Sequence, residues 1–128
     1  MTPPQKTILV ADDEIYMLRL LEATLKKGNY RVVQVRNGTD ALTAATSQPD
    51  LIIMDVMMPG LDGLSAVHQL RQSDLTSRIP VIVLSSKGHS LTKVEAELAG
   101  ASLFLTKPFS PSHLLSEVRR ILANTSPP

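Results

Sequence analysis

The 128-residue chain contains no cysteine and no tryptophan. Without cysteine, the protein has no disulfide framework, no zinc–thiolate site and no thiol nucleophile. Aromatic residues make up 3% of the chain, which argues against ligand binding by aromatic stacking. The length is that of one domain, and a domain of this size buries roughly two-thirds of its unfolded surface without needing a disulfide or a structural metal.

The chain also lacks a marked excess of charge of either sign. Thirteen Lys and Arg against twelve Asp and Glu give a formal net charge of +1, so direct binding of nucleic acid is not predicted. No apolar run approaches the roughly 20 residues that span a bilayer, and the first six residues, MTPPQK, are not a secretory signal. The composition therefore predicts a small soluble protein, expected in the cytoplasm and not inserted in a membrane.

Five short apolar runs alternate with amphipathic stretches along the chain. Most of the runs are rich in β-branched residues or leucine and lack polar alternation, which is typical of strands covered on both faces. They lie at residues 8–11, 32–35, 51–54, 81–84 and 103–105. The stretches between them carry apolar residues at helical spacing. Five strand–helix units with short connections predict a doubly wound α/β fold, with helices on both faces of a parallel sheet.

Boundary and core residues can be assigned within the predicted helices. Gly28 can end the first helix in the left-handed conformation, and Asp62 can cap the third helix. The fourth helix, at 90–99, has a weaker pattern than the others. We expect its Val94 and Leu98 to face the core.

Chemically active residues follow four of the five predicted strands. Ligands bind such sheets outside the carboxyl ends of the strands, all on one edge. The residues at those ends are Asp12, Asp13 and Glu14 after the first strand, Asp55 after the third, Ser85 and Ser86 after the fourth, and Thr106, Lys107 and Pro108 after the fifth. Three carboxylates, a hydroxyl and an amine are therefore expected to converge from separate parts of the chain.

Converging carboxylates repel one another, and a hard divalent cation removes that conflict. Oxygen ligands without histidine or cysteine favour Mg²⁺, Mn²⁺ or Ca²⁺ over zinc. Lys107 would supply a second positive charge, and two cations beside one carboxylate suit an incoming phosphoryl group. A carboxylate can itself be the nucleophile and form an acyl phosphate. Asp55 is the best candidate because it is central in strand order.

These residues lie in motifs that resemble the receiver domain of two-component response regulators, of which the single-domain chemotaxis receiver is one type. The motifs are residues 10–14 (VADDE), 55–63 (DVMMPGLDG), 80–88 (PVIVLSSKG), 100–101 (GA) and 104–109 (FLTKPF). The resemblance implies a receiver domain over residues 6–123, with flexible tails at 1–5 and 124–128. It also implies a flavodoxin-like, five-stranded parallel sheet of strand order 2-1-3-4-5 with five helices.

The resemblance implies roles in phosphoryl transfer for the acidic residues and the lysine. Asp55 would accept a phosphoryl group from a histidine kinase or a phosphotransfer protein. Asp12 and Asp13 would bind Mg²⁺, directly or through water, and Asp55 and the backbone carbonyl of Met57 would complete the protein ligands. Lys107 would contact the phosphoryl oxygens. In such a receiver the chain catalyses only its own phosphoryl transfer and dephosphorylation.

The resemblance also implies a conformational switch. Ser85 matches a hydroxyl that moves to bond the new phosphate, and Phe104 matches an aromatic residue that rotates inward as it does so. Phe104 lacks the hydroxyl of the commoner tyrosine, and Ser86 replaces the usual alanine, which adds a second hydroxyl beside the phosphate-binding position. The bond between Lys107 and Pro108 is typically cis in the family, an arrangement that only a bond to proline adopts cheaply.

The expected output is a protein contact. The surface formed by the fourth helix, the fifth strand and the fifth helix would bind a downstream protein target. Ser102 and Leu103 stand where winged-helix transcription regulators commonly carry acidic residues that pair their receivers. We therefore expect a monomer or a weak dimer.

Three other interpretations stay open. The chain would be the excised receiver of a longer transcriptional regulator if residues 124–128 begin a linker. An Asp-nucleophile phosphatase would need a second aspartate as general acid at the position that Met57 occupies. A flavodoxin-like FMN carrier would need a phosphate-cradling loop after the first strand, where Asp12, Asp13 and Glu14 would repel the phosphate.

Overall fold

The computed structural model describes residues 5–86 and 93–124. Its five parallel strands form one sheet in the order β2-β1-β3-β4-β5, which confirms the α/β class and the 2-1-3-4-5 strand order. The strands are β1 (Thr7–Ala11), β2 (Arg31–Val35), β3 (Leu51–Asp55), β4 (Val81–Ser86) and β5 (Leu103–Lys107). The helices are α1 (Ile15–Lys27), α2 (Gly38–Ala45), α3 (Gly63–Gln72), α4 (Lys93–Ala99) and α5 (Pro111–Asn124).

The central strand β3 divides the hydrophobic core into two layers. All five of its residues are buried, and successive side chains enter opposite faces of the sheet because the strand period is two. Ile52 packs with the buried residues of α2 and α3, whereas Ile53 packs with those of α1 and α5. The helices on each face therefore have a fixed apolar surface to rest on, and the strand ends stay in register.

The end of α1 differs from the prediction. Gly28 has φ −88° and is not left-handed, whereas Asn29 has φ +66°. The prediction for Gly28 was wrong by one residue. A short polar side chain makes asparagine one of the few residues other than glycine that tolerate this region. Gln5 Nε2 donates to both the backbone and the side-chain oxygen of Asn29, and these bonds hold the turn against the start of the chain.

Helix α4 also differs from the prediction. Val94 is 60% exposed and Leu98 is 80% exposed, while Ala96 is buried. The inward orientation predicted for Val94 and Leu98 was wrong. Positions i and i+4 share one face of a helix and position i+2 lies on the opposite face, so contact through Ala96 turns both larger side chains to solvent. Residues 90–92 of the helix predicted at 90–99 lie outside the described residues.

The expected tails fall largely outside the described part of the chain. Residues 1–4 and 125–128 of the expected tails lie outside the described residues, and Asn124 is the last residue of α5. The cap predicted at Asp62 is present, since its Oδ1 accepts the backbone N–H of Ser65 at 3.0 Å.

Within the described part of the chain, none of the helices is both long and apolar enough to cross a membrane.

Gly63 allows the start of α3 to approach the carboxyl end of β3. Its N–H donates to the carbonyl oxygen of Val56 at 2.9 Å. A Cβ atom at this position would lie 2.2 Å from the backbone oxygen of Asp55 and 2.9 Å from the Cα atom of Val56. Any side chain here would therefore push α3 away from the strand that ends in Asp55.

Replacement of Gly63 by alanine is expected to lower the free energy of unfolding by about 2–3 kcal/mol, because the added methyl group collides with backbone. Urea unfolding followed by far-ultraviolet circular dichroism measures the change. Gly60→Ala is the matched control in the same loop: Gly60 has φ +76° but no heavy atom within 4 Å of the added Cβ. Its cost should be about 1 kcal/mol, from backbone strain alone. Equal losses in the two variants would contradict the steric explanation.

Candidate functional site

The carboxyl edge of the sheet brings two aspartates and one lysine into direct contact. Asp12 follows β1, Asp55 ends β3 and Lys107 ends β5. The Nζ atom of Lys107 lies 2.9 Å from Oδ2 of Asp12 and 3.0 Å from Oδ1 of Asp55. All three residues are buried. The lysine thus reaches from the edge strand β5 to the central strands β3 and β1.

A third aspartate completes an acidic cluster. Asp12, Asp13 and Asp55 each offer one carboxylate oxygen, and these oxygens all lie within 4.8 Å of one another. Asp12 uses its other oxygen, Oδ1, to accept the backbone N–H of Glu14 at 2.9 Å. The carboxylate of Glu14 is exposed and lies 4.0 Å from Lys107 Nζ. One ammonium group therefore faces several carboxylates.

One oxygen of Asp55 is poorly satisfied. Oδ1 is buried, and its ion pair with the ammonium of Lys107 at 3.0 Å falls short of a well-formed hydrogen bond. The same ammonium also donates to Oδ2 of Asp12. A buried carboxylate that shares its cation with a second carboxylate is incompletely stabilised. The shared cation, the all-oxygen donor set and the surplus of negative charge together fit a hard divalent cation such as Mg²⁺.

The ionisation of the buried residues reflects this imbalance. Burial and the neighbouring Asp12 together raise the pKa of Asp55 to about 6, against the opposing effect of Lys107. Burial alone would lower the pKa of Lys107, but its contacts with Asp12 and Asp55 raise that pKa above its usual value. Lys107 therefore stays protonated, and Asp55 is an aspartate whose charged form is only weakly favoured near neutral pH.

The residues assigned to phosphate contact lie on neighbouring strands. Ser85 is buried near the end of β4, directly after Leu84, which pairs with Asp55. Ser86 is exposed and pairs with Lys107 across the sheet. Lys87 and Gly88, the last residues of the 80–88 motif, lie outside the described residues. The β4 end thus presents one buried and one exposed hydroxyl at the edge where the acidic cluster lies.

Phe104 and Met57 lie at the periphery of the acidic cluster. Phe104 precedes Lys107 by three residues, about 10 Å along β5, and packs partly buried against the α2 and α3 layer of the core. The side chain of Met57, two residues after Asp55, is 53% exposed. The peptide bond between Lys107 and Pro108 is cis. The structure therefore brings Asp12, Asp55 and Lys107 into contact with Asp13 close by. Phe104 lies apart from them, partly buried against the core.

One residue near the site was not identified from sequence. Arg36 Nη2 donates to the backbone oxygen of Asp13 at 3.1 Å and brings a second cation to the rim of the acidic cluster. A signal was available, because Arg36 directly follows β2 and the 2-1-3 strand order places that strand end beside β1. The sequence does not single out Arg36, because the apolar run that forms β2 is not followed by an acidic or hydroxyl residue.

Comparison with known proteins yields consistent matches. The sequence model of the response regulator receiver domain matches residues 8–119. Protein PilH of Pseudomonas aeruginosa is 38% identical over 117 residues, which cover 91% of this chain and 97% of PilH. The phosphate regulon transcriptional regulatory protein PhoB of the same organism is 34% identical over 123 residues, covering 95% of this chain and 54% of PhoB. The chain spans about half the length of PhoB and of the other transcriptional regulators that it matches.

Solved structures show the same fold. A putative response regulator from Chloroflexus aurantiacus superposes with a TM-score of 0.89 at 34% identity, over 94% of this chain and 100% of that chain. The receiver domain of the sensor histidine kinase PA1611 from Pseudomonas aeruginosa gives a TM-score of 0.86 at 30% identity, over 94% of this chain and 100% of that chain. That structure holds a magnesium ion coordinated in its active-site cleft.

The raised pKa of Asp55 predicts that Asp55→Asn stabilises the protein at high pH in the absence of divalent cations. The folded protein binds this proton more tightly than the unfolded chain does, so stability falls as the pH rises from 3.8 to about 6. The full loss, about 3 kcal/mol, is present above pH 6, and asparagine avoids it.

Urea unfolding of both proteins in a chelator, at about pH 4 and about pH 8, measures this effect. The stability advantage of the variant should be larger at the higher pH. An advantage of the same size at both pH values would show that Asp55 does not titrate in this interval.

Proposed function

Because the chain belongs to the response regulator receiver domain family, we propose that it is a phosphoacceptor switch of a two-component or phosphorelay system, phosphorylated on Asp55. The donor would be the phosphohistidine of a histidine kinase or a phosphotransfer protein. The observation that carries this proposal is the buried Asp55 carboxylate, which lies in an acidic cluster and forms an ion pair with the ammonium of Lys107.

The reaction assigns one role to each residue in contact. Asp12, Asp13 and Asp55, with the backbone carbonyl of Met57, would hold Mg²⁺, which neutralises charge on the phosphoryl oxygens when it is bound. A carboxylate oxygen of Asp55 would form the new bond to phosphorus as the bond from phosphorus to the histidine nitrogen breaks. Lys107 would remain protonated and contact the phosphoryl oxygens.

The contacts of Lys107 suggest how phosphorylation of Asp55 would change the positions of neighbouring side chains. In the unphosphorylated protein its ammonium is shared between Asp12 and Asp55. A phosphoryl group on Asp55 would add new acceptors for that ammonium and for the hydroxyls of Ser85 and Ser86. The buried Ser85 would move toward the phosphate. Phe104, which is partly buried against the core, would rotate inward as Ser85 moves.

Signal output would pass through the surface formed by α4, β5 and α5. A ligand shifts a conformational equilibrium only when it favours one state over the other, and the hydroxyl contact and the aromatic repacking supply that difference. Val94 and Leu98 are exposed on α4 and offer apolar contacts to a downstream protein. We propose a monomer or weak dimer in the cytoplasm, with no direct contact to nucleic acid.

Phosphorylation can be tested with a small donor. Incubation with acetyl phosphate and Mg²⁺ should add one phosphoryl group, read as an increase in the mass of the intact protein. Asp55→Asn should abolish the increase because it removes the nucleophile. Asp62→Asn is the matched control from the same loop, since asparagine caps α3 as well as aspartate does, and it should be labelled normally. Labelling of Asp55→Asn would place the nucleophile elsewhere.

Metal binding can be tested apart from phosphorylation. Asp13→Asn should weaken Mg²⁺ binding at least about tenfold, because it removes one of the carboxylates that neutralise the ion. Asp13 is only partly buried, so the variant should fold. Isothermal titration calorimetry measures the affinity, with Asp74→Asn, an exposed aspartate on the loop before β4, as control. Unchanged affinity in Asp13→Asn would remove Asp13 from the metal site.

A further inference from the structure

Arg71, near the end of α3, connects two segments that are distant in sequence. Its Nε donates to the backbone oxygen of Gly100 at 3.0 Å. Its Nη1 donates to the backbone oxygens of Ile79 at 2.7 Å and Ser77 at 3.2 Å. Gly100 directly follows α4, and Ile79 precedes β4. One partly buried guanidinium therefore joins the carboxyl end of α4 to the loop that leads into β4.

The approach of Arg71 to Gly100 is too close for any other residue at position 100. Gly100 has φ +109°, and a Cβ atom there would lie 2.7 Å from Cγ of Arg71. The N–H of Gly100 also donates to the backbone oxygen of Glu97 at 3.0 Å. The end of α4 is thus held by its own hydrogen bond on one side and by the arginine on the other.

The segment between Gly100 and β5 is also hydrogen-bonded to β4. The N–H of Ser102 donates to the backbone oxygen of Val81 at 2.8 Å, and the Oγ of Ser102 accepts the N–H of Val81 at 3.1 Å. The segment from the end of α4 to the start of β5 is therefore bonded to both α3 and β4. In contrast, the body of α4 buries Ala96 and exposes Val94 and Leu98.

We infer that Arg71 is a positioning residue of the switch, which fixes the carboxyl end of α4 at Gly100. A rearrangement that begins at Ser85 and Phe104 then moves the amino end of α4 more than its carboxyl end. A helix of this length is about 10 Å long, so a rotation of about 10° around Gly100 displaces its amino end by about 2 Å. The inference rests on the proposed phosphorylation switch and adds the residue that determines how α4 moves.

Backbone amide chemical shifts and amide hydrogen exchange, both measured residue by residue by NMR, test this inference. In the wild-type protein with excess acetyl phosphate and Mg²⁺, phosphorylation should change the amide chemical shifts in the first turn of α4 several-fold more than those of Gly100 and Ala101. In Arg71→Lys, whose ammonium cannot reach the same set of carbonyls, the change should spread evenly along the helix. Arg78 is an exposed arginine in the loop between α3 and β4, and Arg78→Lys should behave as wild type.

Two results would overturn the inference. In the wild-type protein, equal changes at both ends of α4 would show that its carboxyl end is not fixed, whatever the stability of the variants. In Arg71→Lys, an increase in exchange that is proportional across the whole protein and leaves the gradient along α4 intact would reduce Arg71 to a stabilising residue.

The intact mass of each sample separates this test from that of the proposed function. Absence of an added phosphoryl group would count against phosphorylation of Asp55. The unphosphorylated variant still tests the contact itself: Arg71→Lys should raise exchange at Gly100 and Ala101 several-fold relative to Ile52 in the central strand. No difference there would show that the arginine does not hold this segment.

Discussion

The site depends on one buried ammonium group that stands between two buried carboxylates. Lys107 lies within 3.0 Å of Asp55 and 2.9 Å of Asp12, and with Asp13 nearby the positive charge is outnumbered. Removing a charge from water is expensive unless it is paired, so the fold must hold these groups in place against their own repulsion. The fully buried strand β3 and the close packing of α3 at Gly63 supply that rigidity.

Most of the architecture and the acidic cluster could be predicted because each depends on strong local patterns. Apolar runs without polar alternation identify buried parallel strands, and parallel strands place their carboxyl ends on one edge. Asp12, Asp55 and Lys107 therefore converge in space although 95 positions separate the first from the last. The motifs around these residues are specific enough to indicate the family from the sequence.

The features that escaped prediction depend on tertiary contacts. The outward orientation of Val94 and Leu98 follows from where α4 rests on the sheet, and helical spacing alone does not decide which face is covered. The contact between Arg71 and Gly100 joins positions 29 residues apart, and an arginine that donates to backbone carbonyls leaves no partner residue type to find in the sequence. The left-handed residue at the end of α1 was displaced by one position, from Gly28 to Asn29.

The span of the Lys107 contacts also bears on how the protein is made. Asp12 and Asp55 follow β1 and end β3, whereas the cation that they share arrives only with β5. A nascent chain that has not yet released β5 from the ribosome presents the acidic residues without the ammonium that pairs with them. Contacts of such long sequence separation form late and slowly. Pairing of the buried carboxylates thus coincides with completion of the sheet, and a domain that still lacks β5 holds Asp12 and Asp55 without the cation that they share.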